Sequence, residues 1–183
     1  MTIITQMSNR RTNPHPHIVP HFLERNQFFP NNKLPALIYK AVFEIPKQKN
    51  KAAQIVQAIF LRNDWGNTWR NGIYDFHHYH SNTHECLGIA SGEATVILGG
   101  PDGKRFILTQ GDLVILPAGT AHKCASASSD FLCVGGYPHG LDYDTCHGTE
   151  GEYKEAVGRL SKLPVPKMDP VFGAHGFLNS WWK

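Results

Sequence analysis

The sequence lacks any long apolar run. No window approaches the ~20 apolar residues of a membrane-spanning helix, so no membrane partner is expected. No export signal is expected at its start. MTIITQMSNRRTNPHPH has no apolar core, and Arg10-Arg11 is followed by Asn13-Pro14-His15-Pro16 where a twin-arginine leader would turn apolar. No single sign of charge dominates. The formal charge of +3 is spread over 183 residues, which argues against nucleic acid as a partner. Cysteine is sparse, with four residues and no CxxC pair. Cys86, Cys124, Cys133 and Cys146 are expected to be free thiols, mostly buried, because a chain this long can fold without disulfides. These absences together point to a soluble chain in a reducing cytoplasm.

What is present is enough apolar residue for one core, at 41% of the chain, and an unusual amount of histidine. Residues 1–17 are polar and rich in Pro and His, and are expected to form a flexible arm. Residues 18–183 are expected to form a single domain, with its core over 72–137, an N-terminal flank over 18–71 and a C-terminal helix and tail over 138–183. In the N-terminal flank Pro20, Pro30 and Pro35 break up the apolar stretches. That suits extended chain at a sheet edge, with Leu37 to Ile45 as the best strand there. Over residues 51–63 the period changes: Ile55, Val56, Ile59 and Phe60 share one helical face, with Asn50 as a cap.

From Gly72 to Tyr137 the pattern is β. Ile73–His80, Glu85–Ala90, Glu93–Leu98, Arg105–Thr109, Leu113–Leu116, Ala121–Cys124 and Phe131–Tyr137 read as short strands between turn signals. Strands so short and so regularly spaced suggest a sandwich or barrel. Thr149 and Glu152 have the spacing of a capping box. Tyr153, Ala156, Val157 and Leu160 then form a helical stripe that Pro164 and Pro166 end. Trp181-Trp182 is expected to dock on a surface.

The chemistry concentrates between Gly72 and Gly92, where His77, His78, His80, His84 and Glu85 fall within nine residues. Along a strand, residues two apart share a face. His78 and His80 therefore point together, with Tyr74 and Phe76, while His77 and Tyr79 point away. Glu85 opens the next strand and can add an oxygen ligand. His122 follows Pro117-Ala118-Gly119-Thr120, a turn able to return a later strand beside the first. Three imidazoles and a carboxylate can then converge on one divalent transition metal: Fe, Mn, Ni or Zn. The set has no thiolate, which argues against a purely structural zinc site. His77 and His84 are read as bystanders. Tyr74, Phe76, Cys124 and Tyr137 are candidates for the wall of a pocket.

These spacings resemble a known family. Gly72, five residues, His78, one, His80, four, Glu85, six and Gly92 resemble the first cupin motif. Gly111, five residues, Pro117, one, Gly119, two and His122 resemble the second. The family pattern runs on to an Asn where this chain has Ser126. The surrounding stretches WRNGIYDFHHYHSNTHE, GGYPHGLDYD and MDPVFG resemble the small bacterial YjlB-like cupins. The resemblance implies a mainly β fold, a single conical jelly-roll β-barrel with a few flanking helices. It also implies the metal ligands His78, His80, Glu85 and His122, and a homodimer. The function expected is that of a metal-dependent enzyme of dioxygenase, decarboxylase or isomerase type, acting on a small, anionic molecule. The alternatives are a cupin that binds or senses a small ligand without converting it, and one whose metal only steadies the fold.

Overall fold

The computed structural model describes residues 11–183. Two antiparallel sheets face one another. The larger contains β1 (His17–Leu23), β2 (Asn32–Lys40), β3 (Trp65–Asn71), β4 (Glu85–Ser91), β7 (Leu113–Leu116) and β9 (Leu132–Pro138). Its six strands run in the order β1-β2-β7-β4-β9-β3. The smaller contains β5 (Glu93–Leu98), β6 (Lys104–Thr109) and β8 (His122–Ala127), in the order β6-β5-β8. Helix α1 (Lys49–Arg62) lies between β2 and β3, and α2 (Glu150–Leu160) and the short α3 (Leu178–Trp181) follow β9. This is the jelly-roll architecture expected, built as two facing sheets.

Strand parity separates two cores. On β4, Leu87 and Ile89 face inward and pack with Val114, Leu116 and Cys133 against Val96 and Leu98 of the smaller sheet. Cys86 and Ala90 face outward, where Val56 and Phe60 of α1 cover them. The helix comes so close that a Cβ on Gly88 would lie 2.6 Å from Val56 Cγ1. The second core extends to the tail. Trp182 is buried there and donates its indole N–H to the Pro35 carbonyl at 2.9 Å, while Trp181 stays exposed. Asp169 anchors this tail, accepting from Tyr39 Oη at 2.7 Å and from the backbone N–H groups of Val171, Phe172 and Leu178.

Several expectations shift. The flexible arm expected over 1–17 lies largely outside the described residues. From Arg11 on the chain is paired: Asn13 N–H donates to Val42 O at 2.8 Å and Glu44 N–H to Arg11 O at 2.9 Å, because its backbone polar groups run alongside residues 42–44, just past β2, and find partners there. The flanking strand is Asn32–Lys40, not Leu37–Ile45, and it accommodates Pro35 near its start. The first helix starts at Lys49 with Gln48 at its N-cap. Its second counterpart forms as expected, with both arms of the Thr149/Glu152 capping box made.

The largest difference concerns residues 73–80. They do not form a strand. The strand is the preceding Trp65–Asn71, and 72–84 is irregular chain carrying isolated bridges at His78 and Tyr79. Tyr79, expected to face out, is fully buried beside Phe29 and Cys146. It pairs with Cys146 through the backbone, Tyr79 N–H to Cys146 O at 3.0 Å, which turns its ring into a small third core beneath α2.

Candidate metal centre

Three segments bring the site together. His78 and His80 lie on the irregular chain after β3, Glu85 is the first residue of β4, and His122 is the first residue of β8. A two-way backbone bridge sets His78 opposite His122, with N···O distances of 3.2 and 2.9 Å. The Pro117–Thr120 turn is fastened to the same chain. Gly119 N–H donates to His80 O at 2.7 Å, and Ala118 N–H donates to His84 Nδ1 at 2.9 Å. Gly119 has φ +86°, and a Cβ there would lie 2.7 Å from the Asn31 carbonyl, so the turn requires glycine.

His78, His80 and His122 are all buried. Each offers one ring nitrogen to a common group within 4.8 Å of one another. The other nitrogen of each ring faces a backbone carbonyl. His78 Nδ1 meets Phe76 O at 3.1 Å, His80 Nδ1 meets Asp144 O at 2.5 Å, and His122 Nδ1 meets Thr120 O at 3.0 Å. A carbonyl only accepts, so each Nδ1 carries the proton and each Nε2 keeps its lone pair for the centre.

Glu85 completes the arrangement. Its Oε2 lies 3.1 Å from His122 Nε2 and 3.4 Å from His80 Nε2. Its Oε1 accepts from Tyr137 Oη at 2.8 Å, and Tyr137 Oη accepts from Trp69 Nε1 at 2.8 Å. Oε2 is buried, and among the described residues no hydrogen-bond donor meets it. Nε2 lone pairs and a buried carboxylate oxygen pointing at one another need a cation between them, so these residues fit a metal ion.

The charges follow from this geometry. Burial would raise the Glu85 carboxyl, but the His80 and His122 imidazoles outweigh it and hold Glu85 well below the usual carboxylate range. Burial would lower His80, but the Glu85 carboxylate outweighs it and the net shift is upward. Burial, with the neighbouring His122, lowers His78 to about 3. With no cation present, a proton on His80 would therefore answer the carboxylate. Burial and the Glu85 charge push the Tyr137 phenol far up, so it remains a neutral donor.

A cavity of about 170 Å³ opens onto these residues. Of the expected wall residues, Tyr137 and Tyr74 line it, although Tyr74 is half exposed. Phe76 and Cys124 do not. Phe76 stacks outside on Tyr74 and His147 because 73–80 does not follow strand parity, and Cys124 Sγ turns to Ser126 O at 3.4 Å. His77 and His84 stay out of the cluster, as expected. His84 is buried as a brace: Nδ1 accepts from Ala118, and Nε2 donates to Pro164 O at 3.3 Å.

Sequence reasoning missed three contributors. Trp69 lies on β3, whose sequence WGNTWRN shows no strand alternation. Tyr143 stacks on Tyr137 at 4.6 Å and 21° and meets His80 edge-on at 5.0 Å. Asp144 holds the loop that carries Tyr143. It accepts from Ser81 N–H at 2.6 Å, from Ser81 Oγ, and from Arg159 Nη1 at 3.2 Å. No local pattern marks either residue of that loop.

The two motifs and this geometry define a cupin. The Cupin domain family model matches residues 71–134, and the chain belongs to the cupin family. Among curated proteins it is similar to the uncharacterized protein YjlB of Bacillus subtilis (strain 168), at 38% identity over 132 residues, covering 72% of this chain and 80% of that protein. Solved structures with a similar chain path include the WlaRB TDP-quinovose 3,4-ketoisomerase from Campylobacter jejuni. It is 14% identical with a TM-score of 0.40, covering 48% of this chain and 73% of that one. Acireductone dioxygenase from Bacillus anthracis is 16% identical with a TM-score of 0.33, covering 55% and 61%. A conserved protein with a double-stranded β-helix domain from Klebsiella pneumoniae is 14% identical with a TM-score of 0.34, covering 80% and 98%.

Proposed function

We propose that His78, His80, His122 and Glu85 hold one divalent transition metal, Fe, Mn, Ni or Zn, and that the site is the centre of a metal-dependent enzyme. The observation that carries this reading is Glu85 Oε2, buried without a donor and 3.1 Å from His122 Nε2. The bound metal would act as a Lewis acid toward an oxygen of the substrate. Counting one carboxylate against a divalent ion leaves about +1, so an anionic oxygen is attracted. The reaction class is that of a dioxygenase, decarboxylase or isomerase, since each needs open positions beside the ligands.

The protein's own residues supply the rest. The Nδ1–carbonyl bonds fix the ring planes, Tyr137 and Trp69 hold Glu85 in one orientation, and the Tyr143 ring narrows the access beside His80. The same proposal includes one domain over residues 18–183, a homodimer and a cytoplasmic location. Strand β1, which ends the larger sheet among the described residues, supports the second, because an unpaired edge invites a partner. The buried free thiols Cys86, Cys133 and Cys146 support the third. Among the described residues no helix is long and apolar enough to cross a membrane.

Elemental analysis of protein purified without added metal tests the centre, and should find about one transition-metal ion per chain. The His80→Ala variant should lose it, and a variant that kept full metal content would overturn the ligand assignment. Screening the loaded protein, with and without O₂, for turnover of small oxo-acids and diketones tests the enzyme reading. Recovery of tightly bound ligand unchanged would replace it with a binding or sensing role.

A further inference from the structure

The wall of the cavity restricts what the centre can take. Besides the four proposed ligands and Arg70, the side chains bordering it are Trp69, Asn71, Ile73, Tyr74, Leu87, Tyr137 and Tyr143. These are indole, aliphatic, phenol and amide groups, all uncharged, and the Asn71 amide oxygen is turned onto its own chain, accepting from Gly72 N–H at 2.8 Å. Among the described residues Arg70 is the one lysine or arginine that borders the cavity, and its side chain leaves it. On β3, Trp69 turns inward to Tyr137. Arg70 turns the other way and donates to Gln57 of α1, which also bonds Thr68. That is the face on which α1 covers the sheet. No permanently charged cation therefore points into the cavity among the described residues.

The phenols do not change this. Tyr137 spends its proton on Glu85. Tyr143 stacks on Tyr137 at 4.6 Å, so it presents a phenol ring and no cation at the mouth. The volume is small as well. At about 170 Å³ the cavity falls below the ~300 Å³ at which drug-sized pockets begin.

We infer that the site takes a small chelating monoanion whose charge is confined to the end that meets the metal and whose remainder is uncharged and apolar, held between Trp69, Ile73 and Leu87. A 2-oxo or 2-hydroxy monocarboxylate of a few carbons has this form. A substrate with a distal carboxylate or phosphate does not, because its second charge would be desolvated against Leu87 and Ile73 with no cation to meet it. The inference rests on the proposed metal centre and adds the substrate class to it.

The test uses two probes with the same chelating head and the same five-carbon chain. Full-length protein is loaded with nickel, its metal content is measured, and 2-oxopentanoate and 2-oxoglutarate are titrated by calorimetry. The expected result is one nickel per chain and 2-oxopentanoate binding at least tenfold tighter. Ile73→Arg, at a half-buried position on irregular chain, should narrow or reverse that ratio. If nickel binds but 2-oxoglutarate binds as tightly or more tightly, or neither probe binds, the substrate class is wrong and the centre stands. If nickel does not bind, the metal reading itself fails.

Discussion

Tyr137 Oη donates to Glu85 Oε1 at 2.8 Å, across 52 residues of sequence. This one bond decides which carboxylate oxygen is free. It ties Oε1 to β9 and leaves Oε2 facing His80 and His122. Replacing the phenol with Tyr137→Phe keeps the ring and removes the donor. Metal affinity, read by competition with a coloured chelator, should fall by about 10-fold, within the range for loss of a group that orients a ligand. The metal-free protein should also melt lower, because Glu85 Oε1 and Trp69 Nε1 each lose their partner. An unchanged affinity would mean that Glu85 is positioned by packing alone.

Metal removal should destabilise the fold, because the ligands come from three segments that the ion would join. An ion at ~1,000 times its dissociation constant adds about 4 kcal/mol. Chelation should therefore lower the melting temperature by several degrees, and readdition should restore it. In His80→Ala the chelator should have little further effect. If both proteins responded equally, the stabilising ion would lie elsewhere.

His84 gives a pH dependence with a definite sign. It is buried, its Nδ1 accepts from Ala118 N–H, and burial lowers it to about 4 from the ordinary histidine value of 6.5. The folded state thus binds a proton less readily than the unfolded state. Stability from this group is complete above about pH 6.5 and is lost as pH falls toward 4. The full loss is on the order of 3 kcal/mol. His84→Asn keeps an acceptor for Ala118 and cannot titrate. Denaturant unfolding of metal-free protein at several pH values between 4 and 7 should show a shallower pH slope for the variant. Parallel slopes would rule out His84 as the source.

Gly135 links the sheet to the site. A Cβ there would lie 2.1 Å from Trp69 Cε2, so Gly135→Ala must displace the indole that donates to Tyr137. Overpacking of this kind costs about 1–3 kcal/mol. The variant should be less stable in urea, change its tryptophan fluorescence and bind metal more weakly. Normal metal affinity despite a displaced Trp69 would show that the indole does not help to orient Glu85.

Much of this was legible in the chain itself. The spacing of His78, His80 and Glu85, and of Pro117, Gly119 and His122, marked the residues that the fold brings together. The runs from Glu85 to Leu116 read correctly as strands because alternation and turn glycines are local signals. Helix α2 was readable because its capping box is a short-range bond. Strand parity also gave a correct answer for a wrong reason at His78 and His80. They converge although their segment is not a strand, held by the His122 bridge and by the carbonyls of Phe76 and Asp144.

By itself, then, the sequence determined the jelly-roll class, the positions of the strands from Glu85 to Leu116 and which side chains could meet a metal. Local periodicity and fixed spacing carry that information. Tyr74 and Tyr137 were legible as candidates for the wall of the site, but only the tertiary structure decided how that wall is assembled. Trp69, Tyr137 and Tyr143 come from β3, β9 and the loop after it, and each is placed by partners distant in sequence. Tyr79 is buried, and Phe76 excluded, by the same long-range pairing. Which way Arg70 points depends on where α1 packs, and packing between distant segments leaves no periodic trace in the chain.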